Sequence, residues 1–324
     1  MAVVCTGGYN RCVSRRKRPA LRHWRGGTSM RPFRRPSADS PASRMPTRDV
    51  RFAIDERIPR FWYRGTCHVT RFFDAFSVMF PLGERFFIDS VRPFRDQVGG
   101  DASLTAEVDA FVRQEASHIR VHRLYNARLA SQQVPVDALE ALLEKRQRNA
   151  ARQVSPVTRL ALTACLEHYT TILAHRLLSD PAVLDGADPT MAAVWRWHAI
   201  EETEHKTVAF DVFAAAMPNA VRRYVVRCAA MLGISVYFVI DLIYFVHRLV
   251  AVDGQTWNVR GWLQLLRWLF VAPGIFTRVM PMWLFWFSPR FHPDRLDSDA
   301  ALRAARAALE PYLATAEPEP ESHA

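Results

Sequence analysis

The chain of 324 residues is long enough for one large hydrophobic core or two small ones. With 49% hydrophobic and 23% charged residues it is not a wholly disordered protein. Its net charge of +11 does not signal nucleic acid: residues 1–48 hold twelve Lys or Arg against one acid, Asp39, which leaves 31 basic and 31 acidic side chains in the remainder.

Residues 1–48 read as a disordered, Arg-rich tail, or as text translated from a spurious upstream start, with Met30 and Met45 as alternative starts. Ser14-Arg15-Arg16 has no apolar run behind it, so secretion is not expected. The scattered Cys5, Cys12, Cys67, Cys165 and Cys228 include no C-x-x-C pair, which suits reduced thiols in the cytoplasm rather than a disulfide or zinc framework. Residues 49–65 read as an extended segment packing its aromatics onto the helical domain.

From about residue 67 the pattern is helical, and no run alternates as a strand would. The expected class is all-α. Helices are predicted over 67–94, with Pro81 and Gly83 kinking or breaking the first; over 102–132, capped by Asp101 or Ser103; over 156–179, with Pro156 in its first turn; and over 189–216, ended by Pro218. A short helix over 136–149 fits the long connection between the second and third. These elements make residues 49–218 one metal-binding unit. Residues 219–315 read as apolar C-terminal helices, and 316–324 as a disordered tail.

Among those helices, 224–250 is almost wholly apolar, 262–287 is rich in Trp, Phe and Leu but interrupted by Pro273 and Pro281, and 298–314 is amphipathic. A run of about 20 apolar residues is the length a bilayer requires, and a helix buried on all sides has the same composition. Burial in the bundle or in a homodimer interface is the first reading of 224–250, with Asp241 and Arg227 against a span. Membrane contact through 224–250 and 262–287 is the second.

Four helices each carry a carboxylate, and two add a histidine at a fixed offset. In chain order they are Glu84; Glu115 with His118; Glu167; and Glu202 with His205. Residues i and i+3 lie about 60° apart on a helix, so one metal can take both side chains of each Glu-x-x-His. A lone Glu on each of two helices and a Glu-x-x-His on each of two more is the ligand set of ferritin-like dimetal carboxylate bundles. The expected architecture is therefore a ferritin-like four-helix bundle with extra apolar C-terminal helices. Around Glu167 no charge stands at i±3 or i±4, and a buried carboxylate needs a partner or a metal. Glu84, Glu115 and His118 are assigned to one metal, and Glu167, Glu202 and His205 to the other. His198, one turn before Glu202, is a further candidate ligand, and His122, one turn after His118, an additional one. Glu115 and Glu202, the candidates to bridge, are the catalytic candidates. Glu201 and Glu204 are expected to face solvent or neighbouring helices, His168 to point elsewhere, and Lys206 and Asp211 are candidates to hydrogen-bond to ligands. Trp195 and Trp197 are expected in the core.

FPLGERFFIDSV, FVRQEASHIRVH, LTACLEHYT and WRWHAIEETEHKTVAFDVF resemble the bacterial family of predicted metal-dependent hydrolases, over roughly residues 47–300. The His198–Glu202–His205 spacing is also similar to that of the di-iron arylamine N-oxygenases, in which the extra histidine ligates iron. Carboxylate and imidazole ligands suit Fe, Mn or Zn. A set placed among Phe, Leu, Ala and Trp favours two irons and oxygen chemistry on an apolar small molecule, with an electron donor that the residues do not identify. Metal-dependent hydrolysis is the alternative, and a non-catalytic iron-binding bundle the third reading.

Overall fold

Several helix starts in this protein are set by short polar side chains. The computed structural model describes residues 45–48, 50–98 and 100–313; the readings of residues 1–44 and 316–324 lie outside the described residues. Within them Asp101 accepts from the backbone N–H groups of Ser103 and Leu104 and opens α2 (Ala102–Ser131) after α1 (Cys67–Val91). Helix α3 is Val136–Gln153. Ser155 caps α4 (Pro156–Ser179) and Asp188 caps α5 (Pro189–Glu204), each with Pro in the first turn, where its missing N–H costs nothing. Next in the chain come α6 (Val208–Ala216), α7 (Ala220–Val252), α8 (Val259–Phe270), α9 (Ile275–Phe285) and α10 (Asp299–Leu313). No strand forms among the described residues; the single β-bridge joins Tyr63 to Ala187. The protein is an all-α helical bundle.

Two expectations are corrected, and of the two outcomes offered at Pro81 the break is removed. Pro81 does not break α1, which runs on to Val91. A proline at 81 leaves the carbonyl of Ser77, one turn back, without its helical donor. The side chain of Asn126 supplies that donor, with Nδ2 3.1 Å from the Ser77 oxygen. The helix predicted over 189–216 is instead two, because the chain turns at residues 205–207; Lys206 leaves the helix surface to donate to the carbonyl of Leu296 at 2.7 Å. Met45 and Arg48, read as part of the tail, are buried.

Two apolar clusters flank a polar seam. One joins α1, α7 and α8 through Phe72, Phe73, Phe245 and Trp268. The other joins α1, α2, α4 and α6 through Phe87, Phe111, Leu160 and Phe213. Helix α8 lies so close to α1 that a Cβ at Gly261 would sit 2.2 Å from the His68 ring, which would have to move to admit any side chain there. Between α8 and α9, Pro273 and Gly274 end one helix and start the next; Gly274 has φ +72°.

Arg71 ties the seam together at the far end from the Glu/His set. Its side chain is fully buried, donating to Asp74 at 2.8 Å and to Asp253, after α7, at 2.6 Å. Asp74 also accepts from Tyr125 Oη at 2.5 Å and Trp62 Nε1 at 3.2 Å. Removing one partner of a buried ion pair strands the other. Arg71→Met is therefore expected to cost about 3–5 kcal/mol of unfolding free energy, read from urea denaturation; a cost under about 1 kcal/mol, the level of a surface pair, would contradict this role.

Candidate metal centre

Four helices bring their carboxylates into one dry volume. Glu84 from α1, Glu115 and His118 from α2, Glu167 from α4, and Glu202 from α5 with His205 just past its end are all buried, as is His198. The ligand-type atoms fall into two groups. In the first, His198 Nε2 lies 3.2 Å and His118 Nδ1 3.6 Å from Glu202 Oε1, while both imidazoles lie 3.9 Å from Glu84 Oε1. In the second, His205 Nε2 lies 3.2 Å from Glu115 Oε1 and 3.3 Å from Glu202 Oε2, and Glu167 flanks this group with its Oε2 3.4 Å from the same nitrogen. Glu202 thus presents one oxygen to each group.

The partition departs from the sequence reading. Glu115 stands with His205 rather than with His118, three residues along its own helix. His198 and His118 share the other group with Glu84. His122 joins neither group; it stands behind His198. His168 points elsewhere, as expected, with Nε2 3.1 Å from the carbonyl of Met282. Asp211 pairs with His292 and Lys206 with a backbone carbonyl, so neither touches the set.

Two hydrogen-bond chains fix the imidazole tautomers. Asn126 donates through Nδ2 to the Ser77 carbonyl, so its Oδ1 is the acceptor for Ser77 Oγ at 2.9 Å. Ser77 has then used its proton, and it accepts from His122 Nδ1 at 3.0 Å. His122 Nε2 is left as an acceptor, and His198 Nδ1 donates to it at 3.1 Å. His198 Nε2 therefore carries a lone pair toward Glu202. On the other side Gln114 donates through Nε2 to Glu204 at 2.9 Å, so its Oε1 accepts from His205 Nδ1 at 3.2 Å. His205 Nε2 likewise turns a lone pair to three carboxylates.

Acceptors facing acceptors in a dry site need a cation or a proton between them. Both carboxylate oxygens of Glu84, Glu115 and Glu167, both ring nitrogens of His118, His198 Nε2 and Glu202 Oε1 have no hydrogen-bond partner among the described residues. Burial, then repulsion from neighbouring carboxylates, holds Glu84, Glu115 and Glu167 well above the usual carboxylate range. Burial also pushes Glu202 up, but positive charge on the His205 and His198 side outweighs it and holds that carboxyl low; with both imidazoles neutral, a cation there must supply that charge. Burial and neighbouring imidazoles keep His118 and His122 well below the ordinary histidine range, hence neutral. Neutral imidazole nitrogens and carboxylate oxygens are what a divalent cation binds. The residues fit a metal.

An outer ring went unread in the sequence. The side chains of Glu201 and Glu204, expected to face solvent or neighbouring helices, do not reach solvent but are buried against Arg48. Arg48 reaches Glu204 at 2.6 Å and Glu201 at 3.2 Å; Arg306 also holds Glu204 at 2.6 Å. Trp197 Nε1 donates to Glu201 at 3.0 Å. Glu201 Oε2 approaches His118 Nε2 at 3.2 Å without hydrogen-bond alignment. Burial pushes Glu201 up to about 8, with Arg48 pulling the other way. No periodicity links Arg48 to partners 153 and 156 positions away; an acid pair at i and i+3 beside Glu-x-x-His is the only trace.

Beside His198 lies an apolar cavity of about 70 Å³, walled by Phe76, Phe80, Trp195, Trp268 and Ile275 among others. Phe80 stacks on the His198 ring with centroids 4.5 Å apart.

A family model described as predicted metal-dependent hydrolase matches residues 46–297, and the chain belongs to that family. No curated protein and no solved structure matches the chain.

Because Arg48 pairs with buried Glu204 and also hydrogen-bonds buried Glu201, Arg48→Ala is expected to cost about 3 kcal/mol of stability. Thermal or urea unfolding measures it, and an unchanged midpoint would show that Arg306 alone suffices for the ring.

Proposed function

We propose that this member of the predicted metal-dependent hydrolases holds two divalent metal ions side by side and uses them to hydrolyse an apolar small-molecule substrate. The observation that carries the dinuclear reading is Glu202, whose two oxygens face separate groups of buried acceptors. Charge supports the count. Four ionised carboxylates, Glu84, Glu115, Glu167 and Glu202, need four positive charges in a volume with no Lys or Arg of its own, and two divalent ions supply them. Glu84, His118 and His198 would hold one ion, Glu115, Glu167 and His205 the other, with Glu202 across both. Donors of this kind accept Fe, Mn or Zn without sharp preference.

Bound ions would supply Lewis acidity and a nucleophilic water, or, if redox-active, electrons for dioxygen. The chain's own residues do the rest. Ser77, Asn126 and His122 keep His198 in the tautomer whose Nε2 is free to bind, and Gln114 does the same for His205. Phe80 and Trp195 keep bulk water from the His198 side. Hydrolysis is the first reading because it is the chemistry the family description carries. Oxygen activation at two irons is the second, and the apolar cavity against His198 favours it, since a dry, aromatic-walled space suits a small apolar reactant.

Metal analysis of protein purified without oxygen should find two ions per chain, with the occupancy of both sites lost in Glu202→Ala and of one site in Glu84→Ala. Retention of both ions in Glu202→Ala would remove the shared carboxylate from the scheme. Hydrolysis of p-nitrophenyl acyl esters that is lost on chelation and in Glu202→Ala supports the first reading. Iron with oxygen uptake and no ester turnover moves the assignment to the second. Gln114→Leu and Asn126→Leu, which release the tautomer chains without touching a proposed ligand, are expected to weaken metal affinity roughly 10–100-fold, as measured by competition with a chromophoric chelator.

A further inference from the structure

Composition alone reads α7 first as a buried helix, yet only 22% of its most apolar 18-residue stretch is covered by the rest of the protein. Nineteen of the twenty exposed large hydrophobic side chains among the described residues lie between Val221 and Leu284, the other being Leu124. Val236, Tyr237, Ile240 and Ile243 on α7 are each more than half exposed, and Leu263 and Leu284 extend the patch over α8 and α9. Soluble surfaces do not concentrate apolar residues in this way unless something covers them.

Charge chooses the occupant. Residues 219–290 contain eight arginines and two acids, Asp241 and Asp253. Both acids are already paired, Asp241 with Arg146 and Asp253 with Arg60 and Arg71. Arg222, Arg248, Arg260, Arg267 and Arg278 are exposed along the same stretch. A second copy docked face to face would bring like charges together with no acid to answer them. A bilayer with anionic headgroups answers both features, taking the apolar side chains into its acyl layer and the arginines at its phosphates. The 33 residues of α7 span about 50 Å, longer than the roughly 30 Å hydrocarbon layer. Its inner side packs on α1 and α4, so the helix offers the lipid its outer side. Trp257, 91% exposed in the turn after α7, is the residue type that settles at headgroup level.

We propose that the outer face of α7 and the bent pair α8–α9 together form a docking surface for an anionic lipid bilayer. This does not rest on the reaction assigned above. It does bring the lipid close to the cavity beside His198, because the pair that exposes Leu266 and Phe270 also sends Trp268 and Ile275 into the cavity wall.

Flotation of the full-length protein with vesicles tests it. One set is phosphatidylcholine alone, the other phosphatidylcholine mixed equally with phosphatidylserine. The protein should float with both and more strongly with the anionic set. Val236→Asp combined with Ile240→Asp should weaken vesicle binding roughly tenfold or more. Arg260→Glu combined with Arg267→Glu should abolish the anionic preference and leave the helix content seen by circular dichroism unchanged, which keeps the test sound if the aspartate pair perturbs folding. Absence of flotation overturns the proposal, as does flotation indifferent to both pairs of changes. A stable dimer by light scattering that Ile240→Asp splits, without vesicle binding, assigns the surface to a second copy instead.

Discussion

The cost of burying carboxylates governs this protein. Glu84, Glu115, Glu167 and Glu202 arrive from four helices at a place where water does not reach, and an uncompensated buried charge is among the most expensive features a fold can carry. Nearby polar architecture answers that cost. Imidazoles turn lone pairs inward, their outer nitrogens are tied off by Gln114 and by the Ser77–Asn126 chain, and a ring of Arg48, Arg306 and Trp197 secures the acids one layer out. Every member of this arrangement makes sense if positive charge sits at the centre.

One backbone irregularity reaches the site through that logic. Pro81 deprives a carbonyl of its donor; Asn126 fills the gap, and the orientation of its amide then dictates the proton on Ser77, on His122 and finally on His198. A residue that elsewhere would merely bend a helix here sets which nitrogen of a histidine is free. The apolar clusters on either side supply the rigidity that such a chain of hydrogen bonds needs.

The outer surface obeys a different principle. Near the centre, polar groups are buried and converge on one another; along α7, α8 and α9, apolar groups are exposed and the two acids are paired with arginines. The two halves meet at the cavity wall, which Trp268 and Ile275 from the apolar pair share with Phe80 and His198.

The linear chain discloses whatever a local rule carries. The starts of α2 and α4 come from the cap at Asp101 and from Pro156 in a first turn, and the all-α class from apolar periodicity. Glu84, Glu115, His118, Glu167, His198, Glu202 and His205 are legible because i+3 and i+4 spacings are properties of one helix, and their order repeats a known ligand pattern. Which of them face each other is not legible, because that depends on how four helices are rotated about their axes; hence Glu115 stands with His205 and not with its own helical neighbour. Arg48 beside Glu204, and Asn126 filling in for Pro81, join positions with no sequence spacing to betray them. Composition also cannot say whether α7 meets protein or something else, since a core and a bilayer select the same side chains. Packing alone decided that its outer face would be left uncovered.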